Sequence, residues 1–173
     1  MTVELPVVRE AFGFRRTVCA CAFCTACCLH VPGTLDPADL PRLCPEGADL
    51  FAWAEQHLRA LTGQPYPALV PARGPSGPCH WLYEGKCAVH ESAPYGCAFF
   101  DAHMPQAEVD RRVEATVRAI REDAEARGPY YRLWRHLCQR GLVAPRGDRS
   151  ALLAEVRRIR RGGERNQRRV PGA

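Results

Sequence analysis

The run Cys21-Ala22-Phe23-Cys24-Thr25-Ala26-Cys27-Cys28 puts four thiols into eight residues, a density that serves neither core packing nor a disulfide framework. Thiolates suit Zn(II), Cu(I) and iron–sulfur clusters, and a C-x-x-C pair brings two of them onto one ion at small entropic cost. If the run is helical, Cys21, Cys24, Cys27 and Cys28 fall at about 0°, 300°, 240° and 340°, an arc of roughly 120°. Sulfur then occupies one face. Cys19 falls on the opposite side and is left out of the set.

Three more cysteines, Cys79, Cys87 and Cys97, follow at spacings of eight and ten within Cys79-His80-Trp81-Leu82-Tyr83-Glu84-Gly85-Lys86-Cys87-Ala88-Val89-His90-Glu91-Ser92-Ala93-Pro94-Tyr95-Gly96-Cys97. Together the two segments resemble the CxxCxxCC family, the YkgJ-like cysteine-cluster proteins described as zinc- or iron-chelating domains. The family's name motif falls on Cys21, Cys24, Cys27 and Cys28, and its later block on Cys79, Cys87, His90, Glu91, Pro94 and Cys97. Thr25, Ala93 and Ala98 stand where the family usually carries Gly, Arg and Arg. The likeness covers about residues 19 to 103 and stops short of the C-terminal helices. It implies a metal centre built on Cys21, Cys24, Cys27, Cys28, Cys79, Cys87 and Cys97, with zinc ranked first and iron or an iron–sulfur cluster second. Seven donors exceed what one tetrahedral ion needs, so some sulfurs bridge two metals or stand by.

The other cysteines, Cys19, Cys44 and Cys138, read as small buried hydrophobes. His80 and His90 read as satisfied or exposed histidines rather than ligands, because sulfur already oversupplies the site. His57 and His136, on predicted helices, read as surface or edge residues.

A chain of 173 residues is long enough for one compact unit with a sizeable core. The division expected is a single domain over 1–161, with a Cys-cluster core at about 19–103 and a helical extension at about 104–161. An Arg-rich tail at 162–173 with little to bury is expected to be disordered. Ten cysteines fall short of disulfide-scaffold density. Phe14-Arg15-Arg16 before an apolar run imitates a twin-arginine leader, but Glu4 and Glu10 sit where a basic region belongs. No apolar run reaches the roughly 18 residues of a spanning helix, so a cytoplasmic, non-membrane protein is expected.

The formal charge of +5 is uneven. From position 157 onward Arg157, Arg158, Arg160, Arg161, Arg165, Arg168 and Arg169 face only Glu164, a net of +6, which leaves −1 for the rest. Without interleaved aromatics for base stacking, the run argues weakly for nucleic acid. A P-loop, G-x-S-x-G, H-E-x-x-H and a dinucleotide fingerprint are all missing from the sequence, which removes the commonest enzyme signatures. The function expected is metal chelation. A metalloenzyme or iron–sulfur redox protein on the same centre, and a nucleic-acid adaptor with structural zinc, are the alternatives, and no protein partner is indicated.

The fold class expected is mainly α with a small β-hairpin, an irregular Cys-rich metal-binding core being covered by C-terminal helices. Asp36 before Pro37 predicts a capped short turn. Leu50, Phe51, Ala54, Leu58 and Leu61 predict a helix over about 48–61 with Gly63 as its stop. Pro65, Pro67, Pro71, Pro75 and Pro78 predict a surface loop with no central strand. A hairpin is expected around Glu84-Gly85-Lys86, with Tyr83 opposite Cys87 across a three-residue loop so that Cys79, Tyr83 and Cys87 share a face. Helices are expected over about 106–127, with Val109, Val113, Thr116, Val117, Ile120 and Ala124 as the inner stripe, over about 130–140, with Leu133, Trp134 and Leu137 inward, and over about 148–161.

Overall fold

The computed structural model describes residues 28–30, 33–74, 77–83, 86–89, 97, 106–144, 154 and 158. Its first ordered stretch shows how a local signal sets a local shape. The Asp36 carboxylate accepts from the Ala38 amide at 3.0 Å, and the Asp39 carboxylate accepts from the Asp36 amide at 2.9 Å. This reciprocal box, with Pro37 pre-set for helix, starts the 3-10 turn Pro37–Asp39, which runs on into α1 (Leu40–Leu43). Asp39 is fully buried yet paired with Arg42 at 2.8 Å.

Asp49 caps α2 (Leu50–His57), accepting from the Ala52 amide at 2.7 Å. The helix is shorter than its periodicity predicts. At Leu58 the backbone turns extended, and Leu58–Leu61 becomes strand β1. It pairs antiparallel with β2 (Ala68–Pro71) in the register Leu58↔Pro71, Arg59↔Val70, Ala60↔Leu69 and Leu61↔Ala68. On its other side Ala60 donates to the Leu142 carbonyl at 3.0 Å and accepts from the Ala144 amide at 2.8 Å. Leu58 and Ala60 bury on alternate positions, so a pattern read as helical is satisfied as strand. The proline-rich stretch is corrected likewise: Ala68, Leu69 and Val70 lie between Pro67 and Pro71, and all of β2 is buried. Proline at a strand's edge removes no amide that its interior needs.

The hairpin β3 (Leu82–Tyr83) and β4 (Lys86–Cys87) is present, but with Leu82 opposite Cys87 and Tyr83 opposite Lys86. The loop is therefore two residues, not three, and Tyr83, 71% exposed, does not face Cys87.

The long helix α3 (Gln106–Glu125) and α4 (Pro129–Gln139) form the C-terminal hairpin. The inner stripe of α3 keeps Thr116 and Ile120 of the one predicted, gains Arg112 and loses Val113. Arg112, Thr116 and Ile120 are buried, whereas Val113 is 39% exposed. On α4, Leu133 and Leu137 are buried as expected, and Tyr130 joins them. Its hydroxyl accepts from the Leu69 amide at 2.8 Å and donates to the Leu35 carbonyl at 2.9 Å. One side chain thus joins α4, β2 and the segment before α1. Ala154 and Arg158 are helical, while the rest of the third predicted helix and the tail lie outside the described residues. The fold is mainly helical with two small antiparallel sheets. Its core cluster sets Leu35, Leu58, Leu69, Ile120 and Leu137 in one contiguous body with Cys28, Cys79 and Trp81.

Candidate metal centre

Cys21, Cys24 and Cys27 lie outside the described residues. Cys28, Cys79, Cys87 and Cys97 lie within them, none of them joined in a disulfide, and the backbone explains their placement. Cys79 leaves β2 through the turn that follows it, where Gly74 donates to the Pro78 carbonyl at 2.7 Å and Gly77 to that of Gly74 at 2.9 Å. The turn returns Cys79 to pair with Arg73 as an isolated antiparallel bridge. The Cys79 amide then donates to the Cys28 carbonyl at 2.7 Å. Arg73 fastens the same junction, its Nη2 donating to the Leu29 carbonyl at 2.9 Å and its Nε to the Gly77 carbonyl. Two segments fifty residues apart in sequence are thereby locked together at their cysteines.

Cys87 enters from the hairpin. The expected parity argument fails because Cys79 is not in the strand: Leu82 donates back to the Cys79 carbonyl at 2.9 Å, closing a turn over 79–82 before β3 begins. The Ala88 amide donates to the Trp81 carbonyl at 2.7 Å, which folds β4 over that turn. Alternation along an extended chain therefore does not decide where the two sulfurs point.

The electrostatics tie the four together. Burial pushes the Cys79 thiol up to about 12, and charge on Cys28 and Cys87 would push the same way, while the amides of Trp81 and Leu82 donate toward its sulfur and pull it down. Burial also raises Cys97 well above the ordinary thiol range, charge on Cys28, Cys79 and Cys87 adds to the rise, and the Gly33 amide opposes it. Each sulfur is within electrostatic reach of its neighbours. Such a group resists ionising alone and favours a shared cation that cancels the repulsion. Amides aimed at sulfur are the outer contacts that orient and steady metal-bound thiolates. The donor chemistry therefore fits a metal, although among the described residues no group of three or more His, Cys, Asp or Glu side chains is already set to grip an ion.

Cys44 and Cys138 are half-buried, and desolvation raises both thiols. His136 sits at an edge as expected, its side chain 30% exposed and paired with Glu55, and His90 lies outside the described residues. His57 is half-buried at the end of α2, packed at ring-centre distances of 5.3 Å from Trp53, 5.1 Å from His80 and 6.1 Å from Trp81. Desolvation lowers His57, and it lowers His80 as well, with the charges of His57 and Arg59 adding to the latter shift. Neither His57 nor Arg73 carried a sequence signal, because each acquires its role from partners distant in the chain.

The sequence profile of the CxxCxxCC family, described as "Putative zinc- or iron-chelating domain", matches residues 20–124. The chain belongs to the CxxCxxCC family. The matched span runs past the 103 boundary expected from the cysteines and takes in nearly all of α3, so the long helix is part of the CxxCxxCC domain. No curated protein and no solved structure matches the chain. Among the described residues, no helix is long and apolar enough to cross a membrane.

Proposed function

We propose that this CxxCxxCC domain chelates zinc, with iron as the alternative, through Cys21, Cys24, Cys27, Cys28, Cys79, Cys87 and Cys97, in a reducing compartment such as the cytoplasm. What chiefly supports this is the junction of Cys28 and Cys79, whose backbones share a 2.7 Å hydrogen bond, with Cys87 in electrostatic reach of Cys79 and Cys97 in reach of all three. A bound ion would supply positive charge to a buried sulfur group and favour its ionised form. Cys28, Cys79, Cys87 and Cys97 would act as thiolate donors. The amides of Gly33, Trp81 and Leu82 would orient them, and the Arg73 tie would hold the two segments at fixed separation.

Anaerobic purification followed by elemental analysis and an absorption spectrum tests this. The expected result is stoichiometric zinc without a visible band, or iron with one. Cys79→Ser and Cys97→Ser should each lower the metal content of the folded protein. Metal content unchanged in both variants would sink the assignment.

A further inference from the structure

A second group of donors lies beside the sulfur junction and is made of nitrogen. His57 ends α2 and His80 follows Cys79, yet their rings meet at 5.1 Å between centres with a tilt of 38°. Trp53 lies 5.3 Å from His57, and Trp81 lies 4.8 Å from His80. Within this aromatic enclosure His57 Nδ1 and His80 Nε2 are both sealed from solvent, and neither has a hydrogen-bond partner among the described residues. Two orphaned nitrogens on neighbouring imidazole rings are unusual, since buried polar atoms are nearly always paired. Each is destabilising unless something satisfies it.

We propose that His57 and His80 form a nitrogen-donor site for a divalent first-row transition metal, distinct from the sulfur centre and walled by Trp53 and Trp81. The spacing fits. With a metal–nitrogen bond of about 2.0–2.1 Å and the ring centre about 1.2 Å beyond it, two imidazoles at a tetrahedral angle lie about 5.2 Å apart, centre to centre. The observed separation is 5.1 Å. Imidazole suits zinc, cobalt, nickel and copper, whereas thiolate selects softer or clustered metals. No third His, Cys, Asp or Glu among the described residues completes the set. Two ligands leave the other coordination positions to water or to a donor brought by another molecule, which makes the site weak and exchangeable. His80 adjoins Cys79 in sequence, so an ion held here sits at the border of the sulfur group.

The site does not rest on the sulfur reading, and its test is chosen to separate the two. The full chain is loaded with zinc, desalted to remove weakly held metal, and titrated with Co(II). Expected are saturable uptake of one Co(II) per chain, a visible band without thiolate charge transfer, and quenching of tryptophan fluorescence through Trp53 and Trp81. His57→Phe and His80→Phe keep a ring in each place, and each should weaken the uptake by about 10- to 100-fold, as loss of a metal contact does. Uptake unchanged in both variants, a thiolate band in place of the nitrogen one, or no saturable uptake would overturn the proposal. Should a variant fail to fold, proton NMR of the unmodified chain decides. Co(II) should broaden the two imidazoles that contact the Trp53 and Trp81 rings, and broadening confined to His30 or His136 would refute the site.

Discussion

Tyr130 carries an outsized share of the tertiary structure because its hydroxyl is the partner of two backbone groups that otherwise have none on that side. Tyr130→Phe keeps the ring and strands the Leu69 amide and the Leu35 carbonyl in a fully buried place. The expected loss is about 2–4 kcal/mol, read from urea unfolding, since buried groups left unpaired cost far more than a formed hydrogen bond returns. Glu55 is the contrasting surface case. It accepts from His136 at 2.7 Å and from Arg140 at 3.1 Å. The His136 hydrogen bond is the main reason its carboxyl lies below its ordinary 4.5. A carboxyl depressed by folding adds stability above its unfolded pKa and gives it up as pH falls through the folded one. Glu55→Gln should therefore flatten the decline in stability below pH 4.5, by lowering the midpoint slightly near neutrality and leaving it unchanged at the acid end, as urea midpoints measured across that range would show. The ion-pair geometry was not legible in the sequence, where Glu55 and His136 are 81 positions apart.

At the scale of elements, the turn between α3 and α4 depends on space. Gly128 has an ordinary φ of −69°, but a Cβ there would collide with the Asp123 carboxylate. Asp123 cannot simply swing aside, because its Oδ1 accepts from the Tyr131 amide at 2.8 Å at the start of α4. Gly128→Ala is expected to lower stability by about 1–3 kcal/mol through overpacking and a weakened cap. Gly74→Ala, whose added carbon meets the Pro78 carbonyl at an ordinary 3.7 Å, should not, and thermal melts of the pair make the comparison. The strap is a second test at this scale. Arg73→Ala removes the contacts to Leu29 and Gly77 that hold the first cysteine segment on the second. Chelator competition should show metal affinity reduced by about 10- to 100-fold with helix content kept.

For the molecule as a whole, the core cluster joins cysteines to helices. Cys28, Cys79 and Trp81 pack in the same body as Ile120, Leu133 and Leu137. A metal gripped by the cysteines would therefore stabilise the helical part as well, by linkage. Removing it with a strong chelator is expected to lower the melting temperature of α3 and α4 together with the rest, seen as one cooperative far-UV transition shifted downward. Transitions that ignored the chelator would detach the helices from the metal.

Much of this was written in short-range signals. The Asp36-Pro37 box, the Gly128-Pro129 stop and the helices of the C-terminal hairpin follow from spacings of a few residues, which local sterics and capping enforce without help. The tertiary structure decided what depends on distant partners. Leu58–Leu61 carries an apolar pattern compatible with helix or strand, and pairing with β2 and contact with 142–144 chose strand. Thr116 and Ile120 face the core as their spacing predicts, but Val113, inward by hydropathy, is exposed while Arg112 is buried, because the packing of α3 fixed its rotation. The meeting of Cys28 with Cys79, and of His57 with His80, belongs to the same class. No local rule can announce it, since the free energy that brings such residues together comes from burying the whole core around them.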